Sequence, residues 1–334
     1  MIKVFLSGAH ARRTPLSYTA LADLWDGVVM QVDQPDQADM HVFAHVLDIQ
    51  MAPFELVEDW RVCRTPIVLL SEEPFWDTIW GQAPLDPVIY VDTQFGIVPV
   101  HQLNHTTSDI FRFEQIPYFL LTDARFANAY ADRFARAVAR GPVLWGAPPF
   151  DIGFMFERRP EPFHDVTWLE ADLIGLAAWR TRLAEACDGD RVRRWGRSWE
   201  GGLSRFDLGG DWHVDKLARI DGQCRLFSAV ENTHHRDYVT EKLFDALACG
   251  SVPLYVASPG HRLHEMGLPD GAWVNLFGHT AEDAARMLAP QEDRSEALYA
   301  GQLAMAQLFG ETSVWQHERK RLRNAVLEAL VALL

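Results

Sequence analysis

Residues 231 to 253 hold the densest set of groups able to do chemistry: Glu231 and Asn232, then Asp237-Tyr238-Val239-Thr240-Glu241-Lys242, then Gly250-Ser251-Val252-Pro253. A lysine at a helix start favours a phosphate, because its ammonium and the unpaired N–H groups of the first turn attract the same anion. A carboxylate such as Glu241 can accept hydrogen bonds from the hydroxyls of a ribose. Together Tyr238, Glu241 and Lys242 suit a nucleotide site. They also suit an ordinary capped helix carrying a surface Glu and Lys.

Such groups need elements to hold them. Leu226 to Val230 reads as a strand, Thr240 as an N-cap, and Glu241 to Cys249 as a helix through Leu243, Ala246 and Leu247. Gly250 suits the left-handed position after a helix, and the next strand begins at Ser251. A strand's carboxyl end meeting a helix start is where open α/β sheets bind nucleotides. Further strands are expected at 2 to 7, 40 to 46, 66 to 70 and 88 to 91, then at 152 to 156, 192 to 196, 224 to 230, 251 to 256 and 272 to 276. Residues 123 to 139 read as a helix closing a first domain, and the turn formers of 141 to 149 as an interdomain linker. The expected division is 1–145, 146–312 and a C-terminal helix over 313–334, an α/β chain with parallel sheets. The apolar positions of that last helix, Leu322, Val326, Leu330 and Leu333, suit docking on the protein core, with peripheral membrane contact as the other use. Gly201-Gly202 and Gly209-Gly210 mark 198 to 211 as a loop of the kind that covers ligands.

Composition narrows the partners. The 334 residues carry a net charge of -15, which repels nucleic acid and anionic membranes over most of the surface. Four separated cysteines, Cys63, Cys187, Cys224 and Cys249, make no C-x-x-C pair and fit reduced thiols in a cytoplasm. No apolar run is long enough to span a bilayer, and the opening strand is too short for a signal peptide. The histidine pairs match no metal pattern, and neither a P-loop nor a strand-linked G-x-G-x-x-G occurs.

The run Glu231-Asn232, Asp237 to Leu243, Ala246-Leu247 and Gly250 to Pro253 resembles the signature of the α-1,3-fucosyltransferase family of the bacterial type, with Val230 where that family usually has Phe. Trp195-Gly196-Arg197 is similar to the family's Tyr-Gly-Arg strand end, and an arginine before it corresponds to Arg180, with Arg182 the other candidate. In the first half, Ser71-Glu72-Glu73-Pro74 resembles the family's E-S-P turn, while Asn104 to Ile110 and Pro117-Tyr118 match further pieces with several positions missing. The likeness covers residues 66 to 118 and 178 to 260.

What the resemblance implies is two facing Rossmann-like domains in the GT-B arrangement and an inverting transfer from GDP-fucose to a saccharide acceptor with no essential metal or other cofactor. Glu72, with Glu73 as fallback, would be the general base. Arg180 and Lys242 would hold the diphosphate, with Glu231, Asn232, Tyr238, Thr240 and Glu241 completing the donor site. Trp76, Trp80 and Trp199 lie near these positions, where indole faces stack on sugars or simply pack. A glycan, a lipid-linked saccharide or a polysaccharide precursor could be the acceptor. The expected location is cytoplasmic, with at most peripheral contact at the inner face of the membrane. Two other readings stand beside this one: a related transferase using another GDP-linked deoxy or amino sugar, and a binding protein that has lost the base.

Overall fold

The computed structural model describes residues 1–81, 83–199, 202, 210–288 and 292–334. The chain forms two compact units, Met1–Ala124 with Ser313–Leu334, and Arg125–Thr312. Most of the loop expected at 198 to 211 lies outside the described residues.

In the first unit, strands β1 (Ile2–Ser7), β2 (Val29–Gln31), β3 (Met40–Phe43), β4 (Ile67–Leu70), β5 (Val88–Thr93) and β6 (Gly96–Leu103) lie in the order β2-β1-β3-β4-β6-β5. All neighbours are parallel except the β5–β6 hairpin. The core gathers Phe43, Ile67, Leu69, Val98 and Val100 from the strands with Ile49 of α1 (Val46–Gln50) and Leu56 and Val57 of α2 (Phe54–Cys63). Each such side chain contributes about 1.5–3 kcal/mol of transfer free energy. Helices α3 (Pro74–Ile79) and α4 (Tyr118–Leu121) follow β4 and β6. Strand β6 went unexpected because Pro99 interrupts it. Pro99 stands opposite Tyr90 and before His101, where pairing with β4 begins, so its missing N–H leaves no β4 bond unmade.

The second unit begins with α5 (Ala124–Arg140), where the expected helix is found but not in the expected place. Its buried stripe of Phe126, Tyr130, Phe134 and Ala137 packs within that unit, with the Tyr130 ring 5.8 Å from Phe244 and 5.4 Å from Phe309. The division expected at 145/146 therefore moves to the start of α5, and 141–149 joins two elements of one unit. Strands β7 (Phe150–Met155), β10 (Val192–Trp195), β11 (Cys224–Ser228), β13 (Val252–Tyr255) and β14 (Val274–Asn275) make a parallel sheet in the order β10-β7-β11-β13-β14. A small antiparallel sheet of β8 (Thr167–Trp168), β9 (Leu173–Gly175) and β12 (Thr233–His234) stands beside α6 (Ala177–Ala186). Helices α7 (Trp212–Ile220), α8 (Glu241–Ala248), α9 (Ala281–Leu288) and α10 (Ser295–Gly310) complete the unit, and α11 (Thr312–Val331) returns to the first. Leu322, Val326 and Leu330 of α11 are fully buried, so its apolar face is docked on protein.

Chain direction across the sheet reverses between β1 and β3 in one unit and between β7 and β11 in the other. The carboxyl ends of strands at such reversals are the ligand sites of open α/β sheets.

Candidate functional site

In the second unit, the reversal point ends at Phe156 after β7 and Val230 after β11. Arg180 of α6 is 6% exposed there; its Nη1 donates to the Val230 carbonyl at 3.2 Å, and its guanidinium lies 4.7 Å from the centre of the Phe156 ring. Gly196 lets the end of β10 close in, since a Cβ on its backbone of φ +116 would sit 2.4 Å from the Phe156 carbonyl oxygen. Arg182 instead points outward, pairing with Asp165 at 2.6 Å. Of the two arginines, the strand ends hold Arg180.

Glu231 follows directly and is buried. Its Oε1 accepts from the Thr240 N–H at 2.9 Å and the Thr240 hydroxyl at 2.7 Å, and its Oε2 accepts from Lys242 Nζ at 2.7 Å. Thr240 does stand at the N-cap, but its hydroxyl serves Glu231 and not the first turn of α8. Gly250 has the expected left-handed backbone, φ +77. Burial pushes the Glu231 pKa up, with Glu241 adding to the effect against Lys242. For Lys242 burial is outweighed by the attraction of Glu231 and Glu241, so its ammonium holds its proton more firmly than usual, while Arg180 opposes. Arg180 and Lys242 are thus held by consecutive residues, Val230 and Glu231.

Glu241 is also buried, and its carboxylate sits 3.8 Å from Lys242 and 3.7 Å from Lys216 of α7. Burial would raise its pKa, yet the two lysines outweigh burial and hold it ionised below the usual range. Tyr238 is buried, its carbonyl accepting from the Tyr255 hydroxyl at 3.1 Å, and the Asn232 carbonyl accepts from Leu176 N–H at 2.8 Å. Glu231, Asn232, Tyr238, Thr240, Glu241, Lys242 and Arg180 thus belong to one region of one unit. Two cations with ionised and hydrogen-bonding neighbours at a strand end suit a phosphorylated ligand.

The first unit holds Glu72 just past β4. It is 4% exposed; Oε1 accepts from Arg13 Nε at 2.6 Å and the Tyr18 hydroxyl at 2.7 Å, and Oε2 accepts from the Tyr118 hydroxyl at 2.8 Å. Burial drives its pKa up, opposed by Arg13 and both tyrosines, and the net direction is upward. Glu73 is more open and lies 3.7 Å from the same guanidinium, which also covers Trp76 at 4.8 Å. Trp80 is 37% exposed. In the second unit Trp199 is pinned by its N–H to the Phe156 carbonyl at 2.9 Å. Among the described residues, no three His, Cys, Asp or Glu side chains are grouped to hold a metal ion.

Sequence reasoning missed Arg13, Tyr18 and Lys216. The available signal was indirect: a carboxylate following a buried strand requires donors. Nothing in the spacing says which ones.

Residues 189–301 match the family model described as Glycosyltransferase family 10 (fucosyltransferase) C-term. Among curated relatives, 4-galactosyl-N-acetylglucosaminide 3-alpha-L-fucosyltransferase 9 of Homo sapiens is 29% identical over 91 residues, 27% of this chain and 25% of that protein. Alpha-(1,3)-fucosyltransferase 7 of Homo sapiens is 37% identical over 81 residues, 23% of each chain. The chain thus spans about a quarter of the length of the curated relatives it matches. A solved structure titled Crystal Structure of alpha1,3-Fucosyltransferase with GDP is 14% identical with a TM-score of 0.37, covering 94% of this chain and 92% of that one. Arg180 and Glu72 lie outside the matched 189–301.

Proposed function

We propose, from the premise that residues 189–301 are a glycosyltransferase family 10 C-terminal domain, that the chain is an inverting fucosyltransferase taking GDP-fucose as donor and a saccharide hydroxyl as acceptor. The observation that carries the reading is the pair of cations, Arg180 and Lys242, at the β7–β11 reversal, with Glu231 fixing Lys242 at 2.7 Å. A departing diphosphate needs such a pair, because charge accumulates on its oxygens as the glycosidic bond breaks. Glu241, ionised at the start of α8, is assigned to the ribose hydroxyls, with Asn232, Tyr238 and Thr240 shaping the pocket.

The acceptor side is assigned to the first unit. Glu72 takes the proton of the attacking hydroxyl, and its upward-shifted pKa brings it nearer to neutral pH, where a general base is most effective. Glu73, held by the same Arg13, is the alternative base. Oxygen attacks the anomeric carbon, the bond to the β-phosphate oxygen breaks, and GDP leaves with the charge that the cations receive. A glycan, lipid-linked saccharide or polysaccharide precursor is the acceptor class. A cytoplasmic location is supported by the free thiols of Cys63, Cys187, Cys224 and Cys249.

Calorimetric titration with GDP-fucose, GDP-mannose and UDP-sugars tests the reading, with Lys242→Ala alongside. GDP-fucose binding lost in the variant supports it. Binding of GDP without preference for fucose moves the assignment to another GDP-linked sugar. Absence of guanine nucleotide binding sinks it.

A further inference from the structure

The strongest unexplained chemistry in the molecule is the buried charge behind α8. Asp245, one turn beyond Glu241, is fully buried. Its Oδ1 accepts from the Tyr130 hydroxyl of α5 at 2.6 Å and from His213 Nε2 of α7 at 2.8 Å, and its Oδ2 meets Lys216 Nζ of α7 at 2.7 Å. Lys216 is 6% exposed, with Asp245 as its near carboxylate and Oε1 of Glu241 as its second at 3.7 Å.

We propose that Lys216 is a positioning residue of the nucleotide site, keeping the Glu241 carboxylate ionised and in place from behind while Lys242 serves the ligand side. The inference rests on the reading above, in which Glu241 receives ribose hydroxyls. Charge counting carries it. Glu231, Glu241 and Asp245 bring three carboxylates into one buried region, and Lys242 is matched at hydrogen-bond distance to Glu231. Lys216 is the cation that Glu241 and Asp245 share, at 3.7 and 2.7 Å, while Lys242 reaches Glu241 only at 3.8 Å from its bond to Glu231. Remove it, and Asp245 keeps His213 and Tyr130 and Glu241 keeps Lys242, but the charge shared by the two carboxylates is gone. Glu241, beside an unscreened like charge in a poorly solvated place, then takes a proton more readily. A protonated Glu241 offers a ribose a weaker acceptor. The groups facing Glu241 are Lys242 and Asp245 from its own helix, Lys216 and His213 from α7, Tyr130 from α5, and Glu231 from the preceding loop. Tyr130 also reaches the backbone here, its hydroxyl 3.4 Å from the Glu241 carbonyl oxygen.

The test is GDP calorimetry on the full chain and on Lys216→Met and Lys216→Arg, near pH 6 and pH 8, with thermal unfolding in parallel. Lys216→Met is expected to bind GDP about tenfold more weakly near pH 8, the size of one charge-assisted hydrogen bond. The loss should be larger near pH 6, where Glu241 now collects its proton, and Lys216→Arg should restore most of it. A structural role alone would lower the unfolding temperature without making the loss depend on pH. Should Lys216→Met fail to fold, Lys216→Gln keeps a donor for Asp245 without the charge, and the same pH-dependent loss is expected. Equal affinity in variant and parent, or a loss identical at both pH values, overturns the proposal. If the unmodified chain binds no GDP, the nucleotide reading falls and this inference with it. If the unmodified chain binds and the variants match it, only this inference falls.

Discussion

Arg13 donates from Nε to Oε1 of Glu72 at 2.6 Å, so the carboxylate assigned as base is held in an ion pair within its own unit. Two hydroxyls complete its shell and fix its plane. Glu72→Gln is expected to lower turnover by roughly a hundredfold to ten-thousandfold, while GDP affinity, which belongs to the other unit, stays within error. If Glu72→Gln turns over normally and Glu73→Gln does not, the base is Glu73.

The same contact predicts a pH dependence. Burial raises the Glu72 pKa and Arg13 is the largest influence lowering it. Substituting Arg13→Met removes that opposition, so the acid limb of the kcat/KM profile should move to higher pH by about 1–3 units. An unshifted limb would mean that another group titrates.

Lys242→Ala should weaken GDP binding by about ten- to a hundredfold, the range of one hydrogen bond to a charged group. Arg180→Lys should lose affinity as well, because a lysine cannot reproduce the planar contact with Phe156 while donating to Val230. Isothermal titration with GDP measures both; undiminished affinity in Lys242→Ala removes that cation from the donor site, and in Arg180→Lys it shows that a point charge serves there as well as the planar guanidinium.

Part of this was legible in the amino-acid order. Glu231 to Gly250 is contiguous, so strand end, cap, helix and left-handed exit could be read from residue types alone. The helix at Phe126, Tyr130 and Phe134 was legible for a similar reason, since spacing reports an apolar stripe. Spacing does not report what the stripe packs on, and α5 went to the second unit because Phe244 and Phe309 are there. Pairings across long separations left no trace. Arg13 lies 59 positions from Glu72, and any of 31 basic residues could have met that carboxylate. Lys216 was hidden likewise: α7 reads as an amphipathic helix with a lysine, and only the packing turns that lysine toward Asp245.

Asp77 of α3 gives a stability test. It is 5% exposed, and burial, with Glu73 adding to it against Ser71, raises its pKa to about 8. A carboxyl whose folded-state pKa is raised stabilises the fold at low pH, and this contribution is lost as pH rises through about 8. Asp77→Asn should therefore resist alkaline destabilisation, gaining on the order of several kcal/mol over the parent near pH 9 at ~1.4 kcal/mol per unit. Urea unfolding at pH 6 and pH 9 measures it. Parallel losses in both proteins would show that Asp77 is not the titrating group.

Glu318 of α11 ties the end of the chain to the base. It is fully buried; Oε1 accepts from the backbone N–H groups of Glu114 at 2.7 Å, Gln115 at 2.6 Å and Ile116 at 3.3 Å, and Oε2 accepts from Arg321 Nε at 3.0 Å. Those three residues lead into Pro117 and Tyr118, and the Tyr118 hydroxyl is the donor that holds Oε2 of Glu72. Glu318→Ala strands the three N–H groups and takes the carboxylate from Arg321, which keeps the Asp109 and Ile110 carbonyls, and this should cost roughly 3–5 kcal/mol. It should also reduce turnover, by letting Tyr118 and then Glu72 drift, while leaving GDP affinity intact. Urea unfolding, a turnover assay and GDP calorimetry on the variant separate these effects. A cost under about 1 kcal/mol would show that the segment is held by packing alone, and a fall in GDP affinity would show that α11 supports more than the unit it packs in.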